Sequence, residues 1–287
     1  MSGIAKVGVV GCGTMGAGFA ESCVLAGVDV VVAVSRPESV TAGRERILAS
    51  MDRAARKGRL TAGQVAAAGE RLTVTADLDE LGDRDLVLEA VPERESLKAE
   101  VFAALDKITD GRDTILASIT SSIPIVRLAR ATSRPGRVIG LHFFNPVPAL
   151  PLVELVGSLL TDEQVCARSE TFVSEVLGKQ VIRSKDRAGF VVNALLIPYL
   201  LAAVRMVESG FSTAADIDRG MTLGCAHPMG PLALIDLIGV DTVVAVGHAL
   251  YDEFKEPLFA PPASLVRMAE AGLLGKKTGT GFYEYPR

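Results

Sequence analysis

The sequence predicts an α/β protein whose first part forms a mostly parallel sheet and whose second part is all-α. In the first part, short apolar runs alternate with stretches of helical periodicity. This alternation is typical of parallel strands that are buried on both faces and joined by crossover helices. Beyond residue 186 the strand-like runs end and helical patterns follow one another. We therefore predict two domains, residues 1–186 and residues 187–287.

Length separates the predicted strands from the predicted helices, because buried strands run to about 8 residues and helices run longer. Strands are predicted at residues 6–11, 29–34, 72–75, 85–91, 114–118, 138–142, 150–156 and 179–184. In the first domain, helices are predicted from residue 14, in stretches between 37 and 69, at 95–108 and at 162–177. In the second domain, helices are predicted at 189–208, 213–223, 231–237, 241–254 and 263–270.

Composition excludes several classes of protein. A chain of 287 residues with 49% hydrophobic residues can build two ordinary cores. Its net charge of −4 argues against nucleic-acid binding, which usually shows as a basic excess. The four cysteines lack CxxC spacing, so they imply neither a metal site nor a disulfide framework and fit a reducing cytoplasm. We find no signal segment and no uncharged apolar run of about 18 residues, so we expect no membrane partner.

A glycine fingerprint follows the first predicted strand. Gly11, Gly13 and Gly16 form GxGxxG at the start of a predicted helix, with Thr14 and Met15 inside the motif. In a dinucleotide-binding unit these glycines permit a tight turn, close approach of the backbone to the pyrophosphate, and close packing of helix on strand. A glycine-rich turn is the structural alternative, but the flanking strand and helix favour dinucleotide binding.

The end of the second predicted strand carries no acid. Such units usually place Asp or Glu about 20 residues after the glycines, where it binds the ribose 2′-hydroxyl. Here Val34 occupies that place, because Asp29 lies too early. Ser35 and Arg36 follow, and a hydroxyl with a guanidinium suits a 2′-phosphate. The sequence therefore favours NADP over NAD, with a simple polar turn before a helix as the alternative.

Four polar residues are candidates for catalysis. His142 ends a predicted strand at the sheet edge where ligands of such folds bind, and Glu154 lies 12 residues later. Ser121 lies in a loop, and Asn193 lies in an apolar predicted helix. Each also has a purely structural interpretation. The histidine could be structural at its strand end, and the glutamate could be an ordinary solvated strand residue. The serine could begin a helix, and the asparagine could be a polar residue without a special role in its helix. The four together favour a catalytic role.

The chain resembles the 3-hydroxyacyl-CoA dehydrogenase family, and within it the short 3-hydroxybutyryl-CoA dehydrogenases. The resemblance rests on GVVGCGTMGAG, TSS, LHFFNPVPALPLVELV, DRAGFVVNALL, HPMGPLALIDLIGVDT and GKKTGTGFYEY, which extend over residues 6–285. It implies that His142 is the acid/base residue oriented by Glu154, and that Ser121 and Asn193 contact the reacting oxygens of the substrate. It also implies a Rossmann-like N-terminal domain, a helical C-terminal domain that binds substrate and dimerises, and an active site between them.

The chemistry of alcohol oxidation agrees with these roles. A proton must leave the alcohol oxygen as hydride leaves the carbon, and an imidazole such as that of His142 can take and return this proton. A carboxylate on the other ring nitrogen fixes the tautomer and stabilises the imidazolium, as Glu154 would. A serine hydroxyl and an asparagine amide can hold the substrate oxygens in position.

Two further sets of residues are assigned to binding. The segment DRAARKGRL carries four basic residues, Arg53, Arg56, Lys57 and Arg59. Such a cluster is usually a solvated face, but the family places substrate-binding lysines in this region, so we assign Arg53 and Lys57 to the phosphates of coenzyme A or the acidic surface of an acyl carrier protein. Glu93, after the strand at 85–91, is assigned to the cofactor site.

The sequence departs from the family at two places. Members commonly carry SNTSS around the catalytic serine, whereas this chain has Ile119 in place of the asparagine. A polar contact near the nicotinamide is therefore expected to be missing. Val34 with Arg36 departs from the usual NAD preference of the family.

Three functional hypotheses follow. The first is an NADP-preferring 3-hydroxyacyl-CoA dehydrogenase that interconverts acetoacetyl-CoA and 3-hydroxybutyryl-CoA, with NAD as the alternative cofactor. The second keeps this chemistry on a 3-hydroxyacyl or glyceryl-type group bound to an acyl carrier protein. The third is a catalytically silent, crystallin-like relative, which the intact catalytic set disfavours. The apolar helical C-terminal domain predicts a homodimer, because exposed apolar faces tend to be covered.

Overall fold

The structure is a computed structural model that describes residues 2–286. Its chain divides into two compact units, Met1–Asp186 and Arg187–Arg287, which we call unit 1 and unit 2. Unit 1 contains the strands β1 Lys6–Val10, β2 Asp29–Ala33, β3 Leu72–Thr75, β4 Leu86–Glu89, β5 Ile115–Ser118, β6 Val138–Phe143, β7 Leu152–Gly157 and β8 Gln180–Lys185. Its helices are α1 Thr14–Leu25, α2 Ser39–Arg56, α3 Ala62–Glu70, α4 Glu95–Ile108, α5 Ile125–Ala129 and α6 Glu163–Thr171.

The eight strands form one sheet in the order β3-β2-β1-β4-β5-β6-β7-β8. All neighbouring pairs are parallel except β6 and β7, which run antiparallel. The central strands are buried along nearly their whole length, as parallel strands covered by helices on both faces must be. With the helical unit that follows, this confirms the predicted fold class of a mostly parallel α/β domain and an all-α domain.

Local signals explain where the helices of unit 1 begin and end. The predicted helical stretch between residues 37 and 69 is two helices, because Gly58 adopts a φ of +69° after α2 and Thr61 opens α3 with a capping box. In that box the Thr61 hydroxyl accepts a hydrogen bond from the Gln64 backbone N–H at 3.2 Å, and the Gln64 side chain accepts one from the Thr61 N–H at 2.8 Å. The stretch predicted at 162–177 is α6 followed by a π-helical turn, Phe172–Val176.

Unit 2 consists of helices packed around their own apolar core, which includes Leu200, Leu232, Val243 and Leu265. Its helices are α7 Val192–Glu208, α8 Ala214–Gly224, α9 Pro231–Ile238, α10 Val240–Phe254 and α11 Ala263–Glu270. Helix α7 begins three residues later than predicted at Gly189, because Gly189 and Phe190 both adopt positive φ angles, 73° and 48°, that a right-handed helix excludes.

The last residues of unit 2 are held by the buried carboxylate of Asp236. It accepts hydrogen bonds from the backbone N–H groups of Phe282 and Tyr283, both at 2.9 Å, and from the Tyr285 hydroxyl at 3.1 Å. Burial, with the nearby negative charge of Asp236, raises the pKa of Tyr285 to about 12. The segment that carries the family-like GKKTGTGFYEY sequence is thereby fixed to α9.

Within residues 2–286, no single helix is both long enough and apolar enough to cross a membrane. One adjacent pair, α9 and α10, passes the same test of length and composition only when taken together, and it bends by 97° between its helices.

Candidate active site

The loop between β1 and α1 brings backbone atoms closer together than side chains would allow. Gly11 has a φ of 100°, and a Cβ on it would lie 2.7 Å from the carbonyl oxygen of Ala90. A Cβ on Gly16 would lie 2.1 Å from the carbonyl oxygen of Gly11, so α1 packs directly on the end of β1. These two positions therefore require glycine, as the fingerprint predicts for the turn and for the packing of helix on strand.

The N-terminus of α1 has the properties of a phosphate site. Gly13 precedes the helix, and no side chain caps its first N–H groups. A Cβ on Gly13 would meet no heavy atom within 4 Å, so this side of the loop can accept a group approaching the backbone. Because helix N–H groups carry partial positive charge, the residues fit the pyrophosphate of a dinucleotide, with Thr14 and Met15 in the first turn.

A cavity of about 1020 Å³ runs along this loop and the ends of the neighbouring strands. It is lined by Val10, Gly11, Cys12, Gly13, Thr14, Met15, Ala33, Val34, Ser35, Ser39, Ala42, Gly43, Arg46, Ala76, Leu78, Ala90, Val91, Pro92, Glu93, Leu97, Lys98, Val101, Ile119 and Ser121. The cavity therefore joins the end of β2, where an adenosine ribose binds in such folds, to the loop after β5 that carries Ser121.

At the β2 end, the structure separates the residues that the sequence predicts to favour NADP. Val34 and Ser35 line the cavity. Arg36 does not line it; its side chain is 71% exposed, and its Nε lies 3.3 Å from a carboxylate oxygen of Glu38. The guanidinium that does line the cavity belongs to Arg46 of α2, whose Nη1 donates to the carbonyl oxygen of Cys12 in the glycine loop.

At the opposite end, Glu93 organises the loop that carries Ser121. One carboxylate oxygen accepts hydrogen bonds from the Thr120 hydroxyl at 2.5 Å, the Ser121 backbone N–H at 3.1 Å and the Ser122 hydroxyl at 2.9 Å. Burial alone would raise the pKa of Glu93, but the charge of Lys98 and these hydroxyl donors outweigh it and lower the pKa. Glu93 is therefore ionised at neutral pH and fixes the Ser121 backbone.

Beneath Glu93 lies a fully buried ion pair. The Lys98 ammonium lies 2.7 and 2.9 Å from the two carboxylate oxygens of Glu89, and both side chains are 0% exposed. Glu89 also accepts hydrogen bonds from the Ser118 hydroxyl and the Val91 N–H, both at 2.7 Å. Glu89 therefore links the end of β4 to β5 through Ser118 and to α4 through Lys98, with its negative charge matched by several donors.

His142 and Glu154 face each other across the antiparallel pair β6 and β7. The His142 Nδ1 lies 2.6 Å from a carboxylate oxygen of Glu154; His142 is 5% exposed and Glu154 is fully buried. Gly140 of β6 pairs with Ser118 of β5, so His142 and Ser121 both lie just beyond that level, at the same edge of the sheet. Three of the four predicted catalytic residues therefore lie at one edge of the sheet in unit 1. His142 and Glu154 are in contact, and of the three only Ser121 lines the cavity.

The remaining predicted site residues lie on α7 of unit 2 and at the end of α2 in unit 1. Asn193 is the second residue of α7 in unit 2 and is partly buried. Arg53 lies in the last turn of α2 and Lys57 directly follows the helix, both exposed to solvent. Burial raises the pKa of Glu21 on α1, and the neighbouring Arg53 charge opposes that shift. The basic cluster is therefore a solvent-exposed end of α2 that remains accessible to an anionic ligand.

Two family models match the chain in succession. One, for the NAD-binding domain of 3-hydroxyacyl-CoA dehydrogenase, matches residues 6–187, and one for the C-terminal domain of that enzyme matches residues 189–285. The chain belongs to the 3-hydroxyacyl-CoA dehydrogenase family. Members are oxidoreductases that act on a CH–OH group with a nicotinamide cofactor, so the predicted enzyme class and the resemblance are confirmed.

Similar members of the 3-hydroxyacyl-CoA dehydrogenase family come from several bacteria. A 3-hydroxybutyryl-CoA dehydrogenase of Mycobacterium tuberculosis is 56% identical over 282 residues, which cover 98% of this chain and 99% of the relative. The crystal structure of M. tuberculosis FadB2 superimposes with a TM-score of 0.97 at 55% identity, covering 99% of both chains. The (S)-3-hydroxybutyryl-CoA dehydrogenase PaaH1 of Ralstonia eutropha gives 0.93 at 43% identity, covering 99% of this chain and 100% of PaaH1.

Sequence reasoning missed three polar residues of this dehydrogenase that the structure places at or beside the cavity. Arg46 and Lys98 line it, and Thr120 binds Glu93. Lys98 could have been suspected, because a lysine within the apolar stripe of a helix must find a buried partner. Arg46 offered no such signal, because it stands among other charged residues in RERILAS.

Proposed function

We propose that the protein is an NADP-preferring 3-hydroxyacyl-CoA dehydrogenase that interconverts acetoacetyl-CoA and 3-hydroxybutyryl-CoA. The observation that carries this proposal is the buried His142–Glu154 pair at the sheet edge that also bears the glycine loop. The names of similar family members, which are 3-hydroxybutyryl-CoA dehydrogenases, support the short acyl chain.

His142 is assigned the proton transfer. Its Nδ1 is held by Glu154, so proton exchange with the substrate oxygen falls to Nε2. The buried carboxylate fixes this tautomer and stabilises the imidazolium that forms when the alcohol loses its proton. In the reverse direction the imidazolium returns the proton to the 3-keto oxygen. When bound, the nicotinamide supplies or accepts the hydride.

Ser121 and Asn193 are assigned to the substrate oxygens. The Ser121 backbone is held by Glu93, and Ser121 lines the cavity, so its hydroxyl can donate to an oxygen near the nicotinamide end. Asn193, at the start of α7, can supply an amide donor to the thioester carbonyl. Two such donors would orient the reacting carbon without themselves changing protonation state.

The lining of the cavity supports a preference for NADP. Val34 occupies the position where an acid would repel a 2′-phosphate, and Ser35 offers a hydroxyl beside it. Among the described residues that line the cavity, Glu93 is the only acid, and its carboxylate faces Lys98 at 3.3 Å at the far end. A dianionic phosphate near β2 would therefore meet no opposing carboxylate from the cavity wall.

Two partners complete the proposal. Arg53 and Lys57, exposed at the end of α2, are assigned to the phosphates of coenzyme A or to an acidic carrier protein. Unit 2 exposes large apolar side chains, with Leu195 at 73%, Phe211 at 77% and Leu223 at 75%, which supports a homodimer. Sedimentation equilibrium that gave only monomers at micromolar concentration would exclude that dimer.

A rate comparison tests the cofactor and the substrate together. We expect reduction of acetoacetyl-CoA to proceed with a higher kcat/KM for NADPH than for NADH, and to exceed the rate with the same acyl group on an acyl carrier protein. A preference for NADH would contradict the cofactor assignment. Faster turnover of the carrier-protein thioester would identify that thioester as the substrate. Absence of hydride transfer to either thioester would refute the enzymatic assignment.

A further inference from the structure

We infer that Arg46 is the residue that selects NADP, by binding its 2′-phosphate. This inference rests on the proposed NADP preference and deepens it, because the arginine expected from the sequence to make this contact, Arg36, lies outside the cavity lining.

One face of α2 lines the cavity. The lining residues Ser39, Ala42, Gly43 and Arg46 are spaced i, i+3, i+4 and i+7, which places them on a single helical stripe. The first three are small, and Arg46 is the one long side chain on the stripe. Its guanidinium can therefore extend along the helix over the end of β2 without displacing a neighbour.

The guanidinium of Arg46 lies at the adenosine end of the cavity. Its Nη1 donates to the carbonyl oxygen of Cys12, the residue between the first two glycines of the fingerprint. The Cys12 thiol in turn lies 3.4 Å from the carbonyl oxygen of Gly43, so α2 packs directly against the glycine loop. Adenosine ribose hydroxyls bind in such folds between this loop and the end of the second strand, where Val34 and Ser35 lie.

Arg46 has donors left for a phosphate. A guanidinium carries five N–H donors, and the described residues provide one hydrogen-bond acceptor for it and no carboxylate oxygen within 4.0 Å. A phosphate could be held by two parallel N–H···O bonds, which are stronger and more specific than contacts to a neutral group. The 2′-hydroxyl of NAD offers no such charge, so the same arginine would discriminate between the cofactors.

The other nearby cations are committed elsewhere. The Nη2 of Arg44, two residues earlier on α2, donates to the carbonyl oxygen of Gly69 at 3.1 Å, outside this cavity. Lys98 lines the cavity but is fully buried against Glu89. Arg36 faces Glu38 in solvent. Arg46 thus combines a position in the cavity lining with an unmatched positive charge.

Calorimetric titration of the cofactor-free protein tests this role without relying on turnover. The probes are adenosine 2′,5′-bisphosphate and adenosine 5′-monophosphate, which differ only in the 2′-phosphate. We expect the wild type to bind the bisphosphate more tightly. Arg46→Ala should weaken bisphosphate binding roughly 10- to 100-fold, the range of a charge-assisted contact, and leave monophosphate binding nearly unchanged. Arg44→Ala, on the same helix, is the matched control and should bind both probes like the wild type.

The outcomes separate the inference from the proposal on which it rests. If the wild type prefers the bisphosphate to the monophosphate and Arg46→Ala keeps the same preference, the role of Arg46 is overturned while the NADP preference stands. Loss of that preference in Arg36→Ala alone would then assign the phosphate contact to Arg36. If the wild type binds both probes alike, the NADP preference falls and the role of Arg46 falls with it. If Arg46→Ala also loses the monophosphate, Arg46→Gln decides, because retained discrimination in that neutral variant overturns the inference.

Discussion

The two ends of the cavity in unit 1 hold their charges in opposite ways. At the end near Ser121, Glu89 and Lys98 are fully buried, and Glu93 faces the same ammonium at 3.3 Å. At the β2 end, Arg46 faces only a backbone carbonyl, and the pair Arg36–Glu38, outside the lining, is about two-thirds exposed. Charges of the first kind maintain a geometry, because each is matched within the protein. Charges of the second kind remain available to a ligand.

In the reaction proposed above, buried charges and accessible charges would serve different steps. Proton transfer requires groups fixed within a few tenths of an ångström, and burial and strand register fix His142 and Glu154 at the sheet edge near Ser121. Cofactor selection requires a charge that a phosphate can reach and neutralise, which a buried and paired group cannot offer. We therefore expect substitutions at the first end to reduce turnover or stability, and substitutions at the second end to change ligand preference with little effect on stability.

The largest effect is expected at His142. His142→Gln removes the group to which we assign proton transfer, so kcat for acetoacetyl-CoA reduction should fall about 10²- to 10⁴-fold, equivalent to roughly 3 to 5.5 kcal/mol in the barrier. Binding of adenosine 5′-monophosphate should be unchanged in the same preparation, which controls for folding of the cofactor site. Near-normal turnover of the variant would refute the catalytic role of His142.

The second effect is a loss of stability at the buried ion pair. Lys98→Met leaves the Glu89 carboxylate buried without its cation, so the free energy of unfolding should fall by about 3 to 5 kcal/mol in urea denaturation. Lys107→Met, at an exposed site on the same helix, is the matched control and should change stability by less than about 0.5 kcal/mol. Equal effects of the two variants would show that the buried pair adds no special stability.

The stability lost by Lys98→Met should depend on pH. The pKa of Glu93 is depressed in the folded protein, so its ionised form contributes stability above its unfolded pKa, and that contribution disappears as pH falls through the folded value. Lys98 is the main cause of the depression. The difference between wild type and Lys98→Met should therefore be greatest near neutral pH and should narrow in acid; a difference independent of pH would contradict this coupling.

The parts of the structure that were predictable from sequence are those governed by periodicity and strand register. The strand at 72–75 and the helices at 95–108 and 263–270 have the predicted bounds, because their apolar spacing is regular and polar residues, proline or glycine lie at or near their ends. The contact between His142 and Glu154 was expected only from the family resemblance. In the structure it arises because β6 and β7 run antiparallel, in a register that pairs these two residues across the sheet.

The parts that were not predictable depend on where an exposed side chain turns. Arg36 follows the second strand directly, so the sequence favoured it for the phosphate, but its guanidinium faces Glu38. Arg46 lies further along the chain, within α2, and it reaches the cavity only because α2 packs against the glycine loop. Nothing in the sequence pattern distinguishes these two arginines, because each has a polar residue before it and a nonpolar residue after it.

The smallest effect is expected at Glu38. Its substitution distinguishes the roles of Arg36 and Arg46 without changing either arginine. Glu38→Gln removes the partner of Arg36 from an ion pair whose side chains are 71% and 66% exposed, so unfolding free energy should change by less than about 1 kcal/mol in urea. Were Arg36 the phosphate-binding residue, its release from Glu38 would strengthen binding of adenosine 2′,5′-bisphosphate. With Arg46 in that role, titration calorimetry should give the same affinity ratio of bisphosphate to monophosphate before and after the substitution. If this affinity ratio rose several-fold in Glu38→Gln, the phosphate contact would be assigned to Arg36. Phosphate binding would then require Arg36 to leave its ion pair with Glu38.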